Sequence, residues 1–157
     1  MKTRLTYPPT YGFTLIELMV TIAISAILLG LAAPSFSSFI RSQAVRTASS
    51  DITTMLVLAR SEAIKRNNNV LITQASGGWQ NGWTVTVTTG GNTETLGNQA
   101  AFSRLSIAGP GGDLIYGGDG RLSNATPPSF QITGGDSVRC VKVSLSGMPS
   151  SQTGSCG

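Results

Sequence analysis

The side chains able to do chemistry are few in this 157-residue chain: seven Asp or Glu, two cysteines and no histidine. Without imidazole there is no Ser-His-Asp or Cys-His nucleophile, no histidine general base near neutral pH and no histidine-ligated zinc. Two cysteines would leave half of a tetrahedral zinc site to carboxylates. Asp113 and Asp119-Gly120 come nearest to a cation loop, but they lack the dense oxygen spacing that calcium needs. No cofactor and no enzymatic activity are expected from this inventory. What remains is one carboxylate in an unusual place, Glu17, and the pair Cys140 and Cys156.

Glu17 stands in the one long apolar stretch. Phe13 to Ala33 reads FTLIELMVTIAISAILLGLAA, with Lys2 and Arg4 ahead of it. As an α-helix it would be about 31 Å long, the thickness of a bilayer's hydrocarbon core. A cleaved secretory signal would have a shorter apolar stretch ending at a small-residue cleavage site. Here the run passes into a polar helical pattern, so a transmembrane helix over residues 13–33 is expected. A carboxylate inside such a helix costs roughly 2.5–3.5 kcal/mol on insertion, unless it sits at the headgroup level. An α-amino group at Phe13 would offset that cost, since an amine–carboxylate contact is worth up to about 4 kcal/mol at intermediate dielectric. The amine could belong to the same chain or to a neighbour, and in the second case the pair is an assembly contact.

Gly12-Phe13-Thr14-Leu15-Ile16-Glu17, after a short basic leader and before a long apolar run, resembles the processing site of type IV prepilins and type II secretion pseudopilins. The resemblance implies that residues 1–12 are a leader removed by a membrane prepilin peptidase and that Phe13 is N-methylated. It also implies that Glu17 registers the subunit in a helical filament of other minor and major pilins or pseudopilins. Pro34 falls where these proteins often carry a helix-bending proline. It removes one helix hydrogen bond, and Gly30 nearby lowers helix propensity, so local unwinding or a simple kink is expected there. Charge leaves the orientation open, because Lys2 and Arg4 on one side are answered by Arg41 and Arg46 on the other.

Over residues 34–67, apolar positions recur at helical spacing through Phe36, Phe39, Ile40, Val45, Ala48, Ile52, Met55, Leu56, Ala59, Ala63 and Ile64. This is an amphipathic helix continuous with the span, one stripe serving as packing surface, ended by Asn67-Asn68-Asn69. The segment LARSEAIKR, Leu58 to Arg66, is similar to one found in FimT/FimU-like minor pilins and H-type pseudopilins. Within it Glu62 and Arg66 form a favourable i,i+4 pair worth about 0.3–0.5 kcal/mol. Arg60 and Glu62 are therefore expected to be structural.

All glycines but Gly12 and Gly30 fall at or beyond Gly77, and residues 68–157 read as short β-prone runs between glycine turns. Strands are expected at Val70–Gln74, Trp83–Thr89, Leu105–Ile107, Leu114–Tyr116, Phe130–Ile132 and Val138–Leu145. Together they predict an α+β fold, a long N-terminal helix packed on an antiparallel β-sheet domain, which the resemblance implies is pilin-like. Trp79-Gln80-Asn81-Gly82-Trp83 resembles the same subfamily and is expected to be a turn with Trp83 in the core, rather than an aromatic ligand site.

In an oxidising compartment a Cys140–Cys156 disulfide would contribute about 3 kcal/mol; a pair of free cytosolic thiols is the alternative. A membrane anchor favours the disulfide and places residues 68–157 in the periplasm, in keeping with the many type IV pilins that pair C-terminal cysteines. The formal charge of +4 includes the two leader residues. The remaining excess supports only weak, salt-sensitive contact with DNA, through Arg121, Arg139 and Lys142. Some FimT-like pilins are implicated in DNA uptake through a Gly-Arg-x-Arg segment; Ser146-Gly147-Met148-Pro149-Ser150 lacks both arginines. The resemblance thus implies a minor pilin that primes or caps a type IV pilus, at the inner membrane and then in the filament. An H-type pseudopilin of type II secretion and a DNA-binding minor pilin are the alternatives.

Overall fold

The computed structural model describes residues 12–124 and 126–157, with the backbone alone over residues 31–35. The leader positions Lys2 and Arg4 and the Pro34 side chain lie outside the described residues. The chain forms two compact units, Met1–Ser37 and Ser38–Gly157.

Helix α1 runs over Leu15–Arg66, and its backbone stays helical past Gly30 and Pro34. In the first unit every described side chain is exposed, including Phe13, Ile16, Met19, Ile22 and Leu29. Among the described residues no helix is long and apolar enough to cross a membrane. Residues 31–33, which complete the apolar run in the sequence, are not among those with described side chains.

In the second unit α1 buries Val45, Ala48, Ile52, Met55, Leu56, Ala59 and Ala63, a three- and four-residue spacing that marks one helix face. Phe36, Phe39, Ile40 and Ile64, expected in the same stripe, are exposed. The packing stripe is therefore shorter than the apolar periodicity suggests. The helix ends where the asparagines begin: Asn67 turns left-handed at φ 46°. Its N–H donates to Ile64 O at 3.2 Å, and Asn68 N–H donates to Ala63 O at 3.2 Å. This reciprocal pair satisfies carbonyls that the helix end would otherwise orphan.

Eight strands follow: β1 Val70–Gln74, β2 Trp83–Thr89, β3 Asn92–Gln99, β4 Ser106–Ala108, β5 Leu114–Tyr116, β6 Ser129–Gly134, β7 Ser137–Val143 and β8 Pro149–Thr153. They form two antiparallel four-stranded sheets rather than one, ordered β3-β2-β1-β5 and β4-β6-β7-β8. Strands β3 and β8 were not expected from the sequence. Both are edge strands whose residues, NTETLGNQ and PSSQT, carry one apolar side chain suited to a core, Leu96. β7 stops at Val143, and Leu145 sits exposed in the turn that follows. The β2–β3 hairpin closes through Gly90 and Gly91, both at positive φ, as a two-residue turn of this hand requires.

One hydrophobic cluster draws on α1 and both sheets. Trp79 is central to it. It lies in a 3-10 turn, Trp79–Asn81, with its ring edge-on to Phe130 of β6 at 4.9 Å and 6.3 Å from Trp83 of β2. Its indole N–H donates to Pro110 O at 2.9 Å, so the buried ring leaves no polar atom unmatched. Both tryptophans, not Trp83 alone, belong to the core.

Candidate assembly site

The start of α1 is built by four residues. Thr14 Oγ1 accepts from Glu17 N–H at 3.3 Å, while Glu17 Oε2 accepts from the Thr14 N–H and hydroxyl, both at 2.9 Å. This is a capping box, Thr-x-x-Glu, in which each side chain satisfies a backbone donor exposed by the helix end. Both bonds to the Glu17 carboxylate fall on Oε2, while Oε1 makes no hydrogen bond among the described residues. The carboxylate is thus held by its own chain through one oxygen. The spacing Thr14-Leu15-Ile16-Glu17 is itself the sequence signature of this box. Gly12 and Phe13 lie exposed just ahead of the helix, and a Cβ at Gly12 would meet nothing within 4 Å.

At the other end of α1, Arg60 donates through Nε to Gly120 O at 3.0 Å, tying the loop after β5 to the helix. Glu62 accepts from Lys65 at 3.2 Å and from Arg66 Nε at 2.7 Å. Arg66 also reaches Glu94 of β3 in a two-pronged contact, at 2.6 and 3.2 Å. The guanidinium between them holds the Glu62 and Glu94 carboxyls below their ordinary range. The i,i+4 pair was legible from spacing. Glu94 was not, because its partner lies across a strand that the sequence did not show.

Cys140 and Cys156 are joined in a disulfide. Cys140 is fully buried on β7, and the Cys156 N–H donates to the Gln131 side chain at 3.2 Å. The three residues considered for DNA contact are not brought onto one face. Arg139 and Lys142 are an odd number of positions apart on β7 and so point to opposite sides of the sheet. Lys142 is exposed and Arg139 half-buried. Arg121 is exposed in the loop after β5, where its N–H donates to Asp119 Oδ1 at 3.0 Å.

The model of the GspH family, described as type II transport protein GspH, matches residues 48–147. The prokaryotic N-terminal methylation motif matches residues 10–33. Among solved structures, the type IV minor pilin FimU of Pseudomonas aeruginosa superposes with a TM-score of 0.63. It is 22% identical, over 73% of this chain and 92% of that one. The minor pseudopilin EpsH from the type 2 secretion system of Vibrio cholerae superposes with a TM-score of 0.57. It is 14% identical, over 69% of this chain and 96% of that one. At these identities the two structures establish the shared fold. No curated protein sequence matches the chain. With the family match spanning the end of α1 and most of the strands, and the methylation motif at the start of the helix, the chain belongs to the GspH family of minor pilins and pseudopilins.

Proposed function

We propose that the chain is a non-enzymatic minor subunit of a type IV pilus that primes or caps filament assembly through its N-terminal helix. In this reading a prepilin peptidase removes residues 1–12 and Phe13 is N-methylated. Residues 13–33 then anchor the subunit once in the inner membrane, 34–67 form the amphipathic helix, and 68–157 are the periplasmic domain. The observation that carries it is the Thr14–Glu17 box beside Gly12-Phe13: one carboxylate oxygen is fixed, and the other, without a hydrogen bond among the described residues, would take a neighbour's N-terminal amine. The exposed apolar side chains from Phe13 to Leu29 are the surface that bilayer or neighbouring helices would cover.

A second reading, the H-type pseudopilin of a type II secretion system, rests on the family description itself. The disulfide near the C-terminus favours the pilus. DNA binding is the weakest of the three, since Arg139 and Lys142 face opposite ways on β7. Deleting the gene in a strain that makes both pili and secreted hydrolases separates the first two: loss of sheared surface pili with normal secretion is the expected result. The reverse pattern moves the subunit to the secretion machine. Glu17→Ala should reach the membrane at normal levels yet fail to restore pili, and full restoration would overturn the role given to Glu17.

A further inference from the structure

Beside α1, on the helix flank that carries Arg46, the second unit holds two cavities of about 460 and 420 Å³. Arg46 and Arg139 line both. Asp136 lines the first, whereas the second has no carboxylate and is walled by serine and threonine hydroxyls of α1 and by Ser151 of β8. Arg46, Ser50 and Thr54 are spaced four apart and so form one row along the helix. Facing them, Arg139 lies on the same side of β7 as the buried Val141. One of its terminal nitrogens donates to Ser151 Oγ at 3.2 Å, and Ser151 Oγ is 2.7 Å from Ser49 Oγ. Its Nε is buried with no partner. Among the described residues, the side chains of Arg46, Ser50 and Thr54 also make no hydrogen bond or ion pair.

The acceptors that suit a guanidinium best are anionic oxygens. The second cavity has a guanidinium and two hydroxyls on its helix wall and a second guanidinium, that of Arg139, on its strand wall, with the Arg139 Nε sealed away from the cavity. A planar carboxylate is satisfied by the fork of one arginine. A tetrahedral dianion accepts from both walls at once and matches two positive charges. We propose that this cavity is a binding site for a phosphate-class oxyanion, free or as a small phosphomonoester, held between Arg46 and Arg139.

The test titrates the full-length protein in nonionic detergent micelles with inorganic phosphate, glycerol phosphate and acetate, at near-neutral pH and constant ionic strength set by chloride. Calorimetry or amide chemical shifts give the affinity. Saturable phosphate binding is expected, weakened at least about tenfold by Arg46→Gln, as loss of a charge-assisted bond requires. Arg46 is exposed and unpaired, so this variant keeps the fold even if Arg139→Gln does not. Binding of phosphate alone makes the cavity a free-ion site, and binding of both phosphates makes it a monoester site; either supports the proposal. No saturable response, acetate binding as tightly as phosphate, or an unchanged affinity in Arg46→Gln overturns it.

Discussion

Tyr116 offers a sharp test of how the two sheets are held. It ends β5 in the first sheet, is fully buried, and its hydroxyl donates at 2.9 Å to Gly147 O in the turn between β7 and β8 of the second. Burial pushes its phenol up to about 12 from an ordinary 10.0, with Arg60 working weakly the other way. In the unfolded chain the phenol ionises near the ordinary value. The folded state, which prefers the neutral form, therefore keeps this contribution in full below pH 10 and loses it as the pH rises toward 12. Tyr7 and Tyr11 are the other two of the three tyrosines. In a Tyr7→Phe, Tyr11→Phe background, tyrosinate absorbance should rise with a midpoint near 12. Tyr116→Phe in that background removes the donor and leaves the Gly147 carbonyl buried and unmatched, a cost of about 1–3 kcal/mol. In thermal unfolding that is roughly 4 °C per kcal/mol. The same variant should lose less stability than its parent across the alkaline window. A midpoint near 10 with intact circular dichroism would refute the reasoning, as would a Tyr116→Phe protein of parental stability and parental alkaline decline.

The remaining expectations concern the core, the disulfide and the helix end. Gly109→Ala would place a Cβ 2.7 Å from Trp79 and 2.8 Å from Phe130, so overpacking should cost about 1–3 kcal/mol in denaturant unfolding. Cys156→Ser should cost about 3 kcal/mol under oxidising conditions and nothing beyond it once the parent is reduced. Glu62 and Glu94 are held below their ordinary 4.5 by Arg66, so their contribution is present above that value and lost as the pH falls through the lowered range. Arg66→Ala should therefore flatten the acid limb of a stability–pH curve, and an unchanged limb would show that the three charges act independently.

What the sequence disclosed follows the strength of its periodicities. β1, β2 and β5 were readable to the residue because buried side chains alternate within them, as in Trp83, Val85 and Val87. The helical stripe from Val45 to Ala63 was readable for the same reason at a different period. β3 and β8 are edge strands built almost wholly of polar residues, with Leu96 the one apolar side chain suited to a core, so neither carried the alternation that marks β5 at the other edge. The division into two sheets was hidden too, because pairing partners such as Val70 and Tyr116 are distant in the chain. At the candidate site, Gly12, Phe13 and Glu17 stood out as a contiguous motif. Glu94 and the Ser49–Ser151–Arg139 contact did not, since they exist only after strands and helix meet.

The disulfide has a topological effect on the second sheet. Cys140 lies within β7 and Cys156 just beyond β8, so residues 140–156 form a closed covalent ring containing the whole of the edge strand. Strand β8 can fray, but it cannot peel away as a free tail. The tether keeps β8 at high local concentration beside β7 and so opposes its replacement by a strand from another chain while the bond is intact. Where copies meet at high local concentration, exchange of this edge is disfavoured as long as the bond holds, and chemical reduction would make the strand easier to exchange.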